Sequence, residues 1–573
     1  MTTPGRESAA LPTPGLYSIA AHRPFLAELA SRILSASESD DDPLALARTT
    51  VLLPTRRACR TMQDVFLRLT DGAPLVLPRL IPIGDIDEDE MLLTGEPAAL
   101  LGVDGEMPPA VPELRRRILL ARLLQARPIG DAQSPPVDHA MELAGELGRL
   151  LDQVQTERLD FEALEGLVPD AYAAHWQETL GFLKILTETW PAVLDGEGAI
   201  DPAERRNRLL HARGAAWRRD PPADPVIAAG STGSIPATAD LLATVAGLPA
   251  GYVVLPGLDR ILDAPSWASL DAGHPQFGLR QLLQRLDVDR MDVGEWPSSV
   301  DVAGAAAGEG AENGPARERL IGEALRPAAT TQAWRDERGS IGADALRGVV
   351  QIEAQEPHEE AGIIALVLRE ALETEGRTAA LITPDRDLAR RVASIMGRWD
   401  VEIDDSAGTP LAETPPGIFL RLAIRALHEG VAPIPLLSVL KHPLAACGRP
   451  PAAFRASARE LERLVLRGPR PASGFAGLRS AAQARHERAV DRAAAGLRPR
   501  DNADPQGYDA VLALIDRIAE IGAPLTDLQR TAAVSLPDYV RAHIAFCEAL
   551  AASDESSGAA RVWRGDEIGR AHV

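Results

Sequence analysis

Arginine and lysine side chains are the residues of this chain best suited to holding phosphate groups. Of its 60 basic residues, only Lys184 and Lys441 are lysines, and neither follows a glycine-rich loop. A nucleotide-binding P-loop needs glycines that free backbone N–H groups and one lysine that reaches the β- and γ-phosphates. The sequence therefore predicts that this chain has no P-loop that could hold and hydrolyse ATP.

A different phosphate-binding motif is Thr55-Arg56-Arg57, which follows the apolar run Thr50–Leu53 and opens a helix through Phe66. Ligands gather at the carboxyl ends of parallel strands, and a helix N-terminus adds backbone donors there. The motif thus favours contact with the backbone phosphates of a nucleic acid. The alternative is a solvated helix start whose arginines only cover the surface.

Three groups of carboxylates have spacings that resemble metal or catalytic sites. Pro384-Asp385 could begin a nuclease motif, but this chemistry needs a lysine soon afterwards and the next one is Lys441. Asp385 is therefore predicted to be a turn or helix-cap residue. Asp404-Asp405-Ser406-Ala407-Gly408 is predicted to be a tight capped turn. The run Asp85–Glu90 lacks the spacing of a calcium loop and is predicted to be an exposed acidic turn or helix start.

Three further segments are considered as possible functional sites. Gly230–Ser234 follows a strand and could form a phosphate nest, but no Asp-Glu pair follows that strand to hold magnesium or orient water. His175-Trp176 is predicted to be a packed pair on a helix. The loop Ala20–Pro24 lies between a strand and a helix, where a P-loop would be, and contains neither glycine nor lysine.

Bulk composition limits the function classes. A length of 573 residues predicts three or four domains, and 45% hydrophobic with 25% charged residues is typical of a globular chain. The formal charge of −22 argues against an indiscriminate polyanion binder, although a basic channel inside an acidic shell remains compatible with it. Three separated cysteines without a CxxC pair favour a reduced cytosolic setting. No 18-residue apolar run and no signal peptide are found.

The elements that must position these residues follow from hydrophobic periodicity. Strands alternating with helices predict a parallel α/β sheet, with strands at Leu16–Ile19, Thr50–Leu53, Leu75–Leu77, Pro225–Ala229 and Tyr252–Leu255. The region 112–220 is predicted to be a helical insertion between 1–111 and 221–300, and 301–345 a linker. A second α/β unit is expected at 346–415, with strands at Val349–Ala354, Thr378–Ile382 and Val401–Asp404. The region 416–566 is predicted to be mostly helical.

Several stretches resemble the AddB family, the double-strand-break repair subunits of AddAB helicase–nucleases, in their alphaproteobacterial form. They occur in the order expected for this family: TVLLPTRRACRTMQDVF, LPRLIPIGDIDEDE, AHWQETLGFLKILTETWP, VIAAGSTGSIPATADLL, YVVLPGLD, TAALITPDRDLARRV, DDSAGTPL and LLSVLKHPLA. The resemblance implies two degenerate RecA-like domains of the superfamily-1 helicase type, each with a large helical insertion. It also implies homologous recombination in the cytoplasm, DNA ends as substrate, and a heterodimer with an AddA-type subunit that supplies the motor.

The resemblance also implies where DNA would be held. TVLLPTRRA matches helicase motif Ia, which grips single-stranded backbone, so Thr55, Arg56 and Arg57 are the first candidates. Thr383, Asp385 and Arg386 occupy the matching edge of the second domain, and Lys441 and His442 follow in the helical region. No residue is predicted to be catalytic.

The chain departs from the family at its end. AddB proteins continue into a nuclease region with catalytic carboxylates, magnesium and an iron–sulfur cluster, so neither group is expected here. Residues 567–573 match the translation of a common sequencing adapter and are predicted to be non-native. The chain is thus expected to have no ATPase or nuclease activity of its own. The alternatives are a scaffold that binds its partner without touching DNA and an unconventional ATP site at Ala20–Pro24.

Overall fold

The computed structural model of the protein describes residues 11–37, 42, 44–84, 107–126, 134–159, 185–297, 313–336, 339–496 and 505–564. The chain divides into two compact units, Met1–Gln351 and Ile352–Val573. The predictions for Asp85–Glu90, His175-Trp176 and the tail 567–573 lie outside the described residues.

The first unit contains one six-stranded sheet, and every pair of neighbouring strands is parallel. Its strand order is β3-β2-β4-β5-β1-β6. The strands are β1 Gly15–Ile19, β2 Thr50–Leu53, β3 Arg79–Pro82, β4 Val226–Ala229, β5 Gly251–Pro256 and β6 Gly294–Glu295. The predicted α/β class with a parallel sheet is confirmed.

The helices of this unit cover both faces of the sheet, as parallel sheets require. They are α1 Phe25–Ser37, α2 Ala45–Arg48, α3 Arg56–Leu69, α4 Glu113–Ala126, α5 Val137–Glu157, α6 Trp190–Glu197, α7 Pro202–Arg219, α8 Pro236–Ala246, α9 Ala264–Ala268, α10 Phe277–Leu286 and α11 Gly314–Ala324. Helices α1 and α3 bury Leu29 and Phe66 on one face. Helices α7, α8 and α10 bury Leu210, Leu242 and Leu282 on the other. The strands are therefore apolar on both sides.

The strand predictions for β1, β2, β4 and β5 are confirmed to within one residue at each end. The prediction of a strand at Leu75–Leu77 is wrong, because β3 begins after Pro78. Proline has no N–H to give to a ladder, so pairing with β2 starts where the Arg79 N–H donates to the Thr49 carbonyl at 2.9 Å. Strand β6 is only two residues long and had no sequence signal.

Between β3 and β4, within the predicted insertion 112–220, the described residues form helices, and α4, α5 and α6 share an apolar core. A buried polar cluster joins these helices to α7. Its centre is Asp201, 2% exposed, which accepts hydrogen bonds from Gln155 Nε2 at 2.8 Å and Trp190 Nε1 at 3.0 Å. Arg116 Nε lies 2.8 Å from Asp201 Oδ1, at an angle that suits an ion pair rather than a hydrogen bond. The arginine also binds Asp152, at 2.9 Å.

The second unit is helical throughout its described residues. Its helices are α12 Pro357–Leu372, α13 Arg386–Gly397, α14 Pro415–His428, α15 Pro433–Leu440, α16 Pro451–Leu461, α17 Gly474–Ala494, α18 Pro505–Gln529, α19 Leu536–Ala551 and α20 Gly558–Val562. A π-helical turn, Glu462–Leu466, extends α16. The mostly helical region predicted after 416 is confirmed, and the loop between this turn and α17 matches the predicted break at Gly468–Gly474.

The three strands predicted in the second unit are wrong: Val349–Ala354, Thr378–Ile382 and Val401–Asp404 form no ladder in the described structure. The segments have the period-two pattern of a strand only in part. Leu381, Val401 and Ile403 pack against the core of α12 and α13, whereas Ile382 is 94% exposed. A ladder needs a neighbouring strand to accept its backbone hydrogen bonds, and these segments pack on the helices without one.

No helix in the described part of the chain is both long and apolar enough to cross a lipid bilayer.

Candidate nucleic-acid interface

The loop Ala20–Pro24, at the carboxyl end of β1, is a closed turn. The Arg23 N–H donates to the Ala20 carbonyl at 3.0 Å. His22 Nδ1 lies 2.8 Å from Glu318 Oε2 on α11, and a Cβ added at Gly314 would come within 2.5 Å of the His22 ring. The start of α11 therefore lies directly on the loop, where a P-loop would need open space.

The first turn of α1 carries its own negative charge. Glu28 is 2% exposed and its carboxylate pairs with Arg23 at 2.5 Å. A carboxylate in this position interacts with the positive end of the helix dipole. Because the carboxylate is buried and paired with Arg23, this pair occupies the first turn of the helix that would hold a nucleotide in a P-loop fold.

Phe25, Pro54 and Gly230 meet at the carboxyl ends of β1, β2 and β4. Gly230 has a φ of +79°, and a Cβ there would lie 3.4 Å from Phe25 Cε1 and 3.5 Å from the Pro54 ring. Apolar side chains thus fill this part of the sheet edge.

The loop Gly230–Ser234 packs against α10, and two of its backbone N–H groups donate hydrogen bonds within the fold. The Gly230 N–H donates to the Val254 carbonyl at 3.0 Å, and the Gly233 N–H to Ser231 Oγ at 3.2 Å. A Cβ at Gly233 would lie 2.9 Å from Leu282. These contacts favour a structural role for the loop over the alternative of a phosphate nest.

Thr55, Arg56 and Arg57 lie together at the carboxyl end of β2, and all three are exposed. Thr55 caps α3, because its Oγ1 accepts a hydrogen bond from the Ala58 N–H at 3.1 Å. The first turn of α3 contains no acidic residue. The positive end of the dipole of this helix and the guanidinium groups of Arg56 and Arg57 therefore lie at the same end of the sheet.

Thr383, Asp385 and Arg386 also lie together, at the start of α13, but they form a self-contained acidic cap. Asp385 Oδ1 accepts from the N–H groups of Asp387 at 2.8 Å and Leu388 at 3.1 Å, which confirms its predicted capping role. Arg386 makes a two-pronged ion pair with Asp405, at 2.6 and 3.1 Å, and the hydrogen bond to Asp405 raises the pKa of Arg386.

The capped turn predicted at Asp404–Gly408 is confirmed. Asp405 Oδ1 accepts from the Ala407 N–H at 3.0 Å, and Gly408 has a φ of +63°. Because Asp405 of this turn forms an ion pair with Arg386, phosphate contact is less favourable at this arginine.

Lys441 and His442 follow α15 and differ in their surroundings. Lys441 is exposed and its Nζ lies 2.5 Å from Glu462 Oε2. The His442 ring packs against Phe419 with 5.2 Å between centroids, and its Nδ1 accepts from the Leu444 N–H at 3.3 Å. Burial lowers the pKa of His442, so the ring is neutral at pH 7 and brings no positive charge to a phosphate.

No group of three or more His, Cys, Asp or Glu side chains suited to a metal ion is found in the described residues. Sequence reasoning did not find the Arg23–Glu28 and His22–Glu318 pairs. The spacing of Arg23 and Glu28 offered a signal for the first pair. The second joins residues 296 positions apart, which a single sequence does not reveal.

Comparison with known proteins gives no relative for this chain: no protein-family model matches it, and no curated protein matches it. The resemblance to AddB therefore rests on the sequence stretches given above.

Proposed function

We propose that this chain is the helicase-like, motor-less portion of an AddB-type subunit in double-strand-break repair. In this proposal it guides single-stranded DNA by arginine–phosphate contacts and docks an AddA-type motor subunit in the cytoplasm. Its parallel-sheet unit would be a degenerate RecA-like domain. Neither ATP hydrolysis nor DNA cleavage is assigned to it.

The observation that carries the proposal is the contrast between two helices on one face of the same sheet. Helix α1 follows β1 and has a buried glutamate in its first turn. Helix α3 follows β2 and has Thr55, Arg56 and Arg57 at its start with no acid in its first turn. The nucleotide position is thus occupied by the ion pair of this buried glutamate, whereas the position that matches motif Ia in the resemblance has two exposed arginines and no acid in the first turn of its helix.

The test measures binding of a fluorescent oligothymidylate by anisotropy over a range of salt concentrations. Each phosphate contact with a single strand contributes about 0.7 to the slope of log K against log salt. Replacing Arg56 and Arg57 with alanine should lower this slope by about 1.4. The same constant predicts a roughly 25-fold weaker affinity at about 0.1 M salt.

The matched control is R68A/R79A, which removes the same charge from the opposite edge of the sheet. Arg68 lies in the last turn of α3, and Arg79 begins β3. Both variants should keep the same unfolding midpoint. Equal slopes for the two variants would refute the DNA-guiding role and favour the scaffold, which should still co-purify with its motor subunit.

A further inference from the structure

Positive charge is concentrated in one segment of this acidic chain. Residues 441–496 contain eleven lysine or arginine residues and only four aspartate or glutamate residues, whereas the whole chain has a net charge of −22. All of this segment is described by the structure, and it spans α16, the π-helical turn Glu462–Leu466 and α17. Such an asymmetry is typical of a surface that binds a polyanion.

A first groove, of about 650 Å³, lies along α16 and the π-helical turn. Arg455 and Arg459 are four residues apart on α16 and therefore lie on one side of it, with their Cα atoms about 6 Å apart along the helix axis. Arg463 lies in the π-helical turn, and Arg467 follows that turn with an extended backbone. Its five cationic residues are Lys441, Arg455, Arg459, Arg463 and Arg467.

The carboxylates of this groove neutralise only part of its charge. Glu462 binds Lys441 at 2.5 Å and Arg467 at 3.1 Å, and Glu460 binds Arg463 at 2.6 Å. Those two acids face five cations, so three positive charges remain. Arg455 and Arg459 are exposed, and no carboxylate in the described residues lies within ion-pair distance of either.

The effect of Arg455 on a neighbouring arginine agrees with this excess of positive charge. The pKa of Arg561 is lowered, first by burial and then by the positive charge of Arg455. A site that disfavours a further cation is one that favours an anion.

A second groove, of about 920 Å³, lies between the loop after the π-helical turn and α17. Four arginines and one acid, Asp491, contribute its charges. Between them lies a wall of alanine and proline side chains, which allows a ligand to approach the guanidinium groups closely. The four arginines are Arg470, Arg485, Arg488 and Arg492.

The two grooves are joined through one short piece of chain. Arg467 lines the first groove, and its carbonyl accepts a hydrogen bond from Arg485 Nη1 of the second at 3.4 Å. The same Nη1 donates to the Leu464 carbonyl at 2.7 Å. Arg485 thereby fixes the wall that the grooves share, and the arginines on both sides form one band.

We propose that this arginine band is a binding site for the phosphate backbone of a single-stranded nucleic acid. Guanidinium groups distributed over two adjoining grooves suit the repeated charges of a polyanion better than a single small anion. The aromatic residue that lines the second groove, Tyr508, is 3% exposed and stacks on His486, so it offers no face to a base and binding without base preference is predicted. The site lies in the second unit and does not depend on Arg56, Arg57 or the AddB resemblance.

The experiment uses the full chain, a fluorescein-labelled oligothymidylate and the variant R455Q/R459Q. The matched control is R391Q/R398Q, which removes two exposed arginines of the same unit that also have no carboxylate partner among the described residues. We expect R455Q/R459Q to lower the log–log salt slope by about 1.4 and affinity by roughly 25-fold at about 0.1 M salt, while the control changes neither.

Competition experiments complete the test. Equal salt slopes for R455Q/R459Q and R391Q/R398Q would overturn the proposal. Displacement of the oligonucleotide by polyglutamate at equal charge concentration would also overturn it, because such displacement indicates an acidic protein partner. Binding of pyrophosphate without binding of oligothymidylate would also overturn it. R56A/R57A removes contacts in the other unit. If R56A/R57A lowers the salt slope as expected and R455Q/R459Q does not change it, the arginine-band proposal is refuted and the proposed function is not.

Discussion

Replacing Asp201 with alanine should destabilise the first unit more than any exposed ion-pair substitution in it. The change removes the acceptor for Gln155 and Trp190 and one of the two carboxylates beside Arg116. Arg116 is 6% exposed and Trp190 1% exposed, so water does not replace the lost contacts easily.

The magnitude follows from this burial. Removing one partner of a buried ion pair costs about 3–5 kcal/mol. Only the 43% exposed carboxylate of Asp152 would then remain beside Arg116, and the two neutral donors would lose their acceptor. For a domain of moderate size this corresponds to a fall in Tm of roughly 6–20 °C. Asp201→Asn keeps an acceptor for the neutral donors and loses only the charge, so it should cost about 1–3 kcal/mol.

Asp152→Ala is the matched control, because it removes the other carboxylate of the same arginine. The Asp152 side chain is 43% exposed, and Arg116 would keep Asp201. A loss of about 1 kcal/mol or less is expected for such a solvent-exposed pair.

Because the chain has two units, unfolding should be followed by hydrogen exchange of α5 and α7 as well as by calorimetry. The expected result is faster exchange in both helices for Asp201→Ala and near-normal exchange for Asp152→Ala. Equal effects of the two alanine variants would refute the argument, because burial would then not control the cost.

Two further predictions concern titratable groups. Burial alone would raise the pKa of Asp263, but hydrogen bonds from Arg326 and Ser266 outweigh it and lower this pKa to about 2. The carboxylate therefore stabilises the fold above its unfolded pKa near 3.8, and this contribution is lost as the pH falls towards 2. Its side chain is 42% exposed, so screening limits the contribution to about 1 kcal/mol. The stability gap between wild type and Asp263→Asn, measured by urea unfolding, should shrink between pH 5 and pH 2.5, and a constant gap would contradict this. Burial, and then Glu548, raises the pKa of the Cys547 thiol from its usual value near 9 to about 12. Native Cys547 should thus react with iodoacetamide about a thousandfold more slowly at pH 8 than in urea, and a comparable rate, read by peptide mass spectrometry, would disprove it.

The sequence was most informative where one local signal determined the structure. Thr50–Leu53 is a short apolar run followed by a helix cap, and β2 has those bounds. The third strand was misplaced because leucines at 75 and 77 resemble a strand, whereas the missing N–H of Pro78 determines where pairing begins. Strands in the second unit were wrong because apolar alternation at Val401 and Ile403 also suits packing on helices.

In the candidate site, too, the sequence predicts the features that depend on local order and misses those that depend on how distant segments fold together. Thr55, Arg56 and Arg57 could be placed at a sheet edge from the order of elements alone. The neutralisation of Arg386 by Asp405 depends on how the turn at Asp404–Gly408 folds back, which spacing does not determine. The spacing of the arginines at 455, 459, 463 and 467 is visible in the sequence, but a net charge of −22 for the whole chain does not reveal a local surplus of positive charge.

The turn at Ala20–Pro24 bears on how readily a nucleotide site could be introduced at this end of the sheet. Introducing glycines and a lysine there would not be sufficient. The ion pair of buried Glu28 with Arg23 would still occupy the first turn of α1, and the start of α11 would still lie against His22. Several compensating changes would have to arise together, and each alone would break a contact that now supports the fold. In the proposed function, such interdependence makes the loss of a motor effectively one-way, and it ties the protein to a partner that retains one.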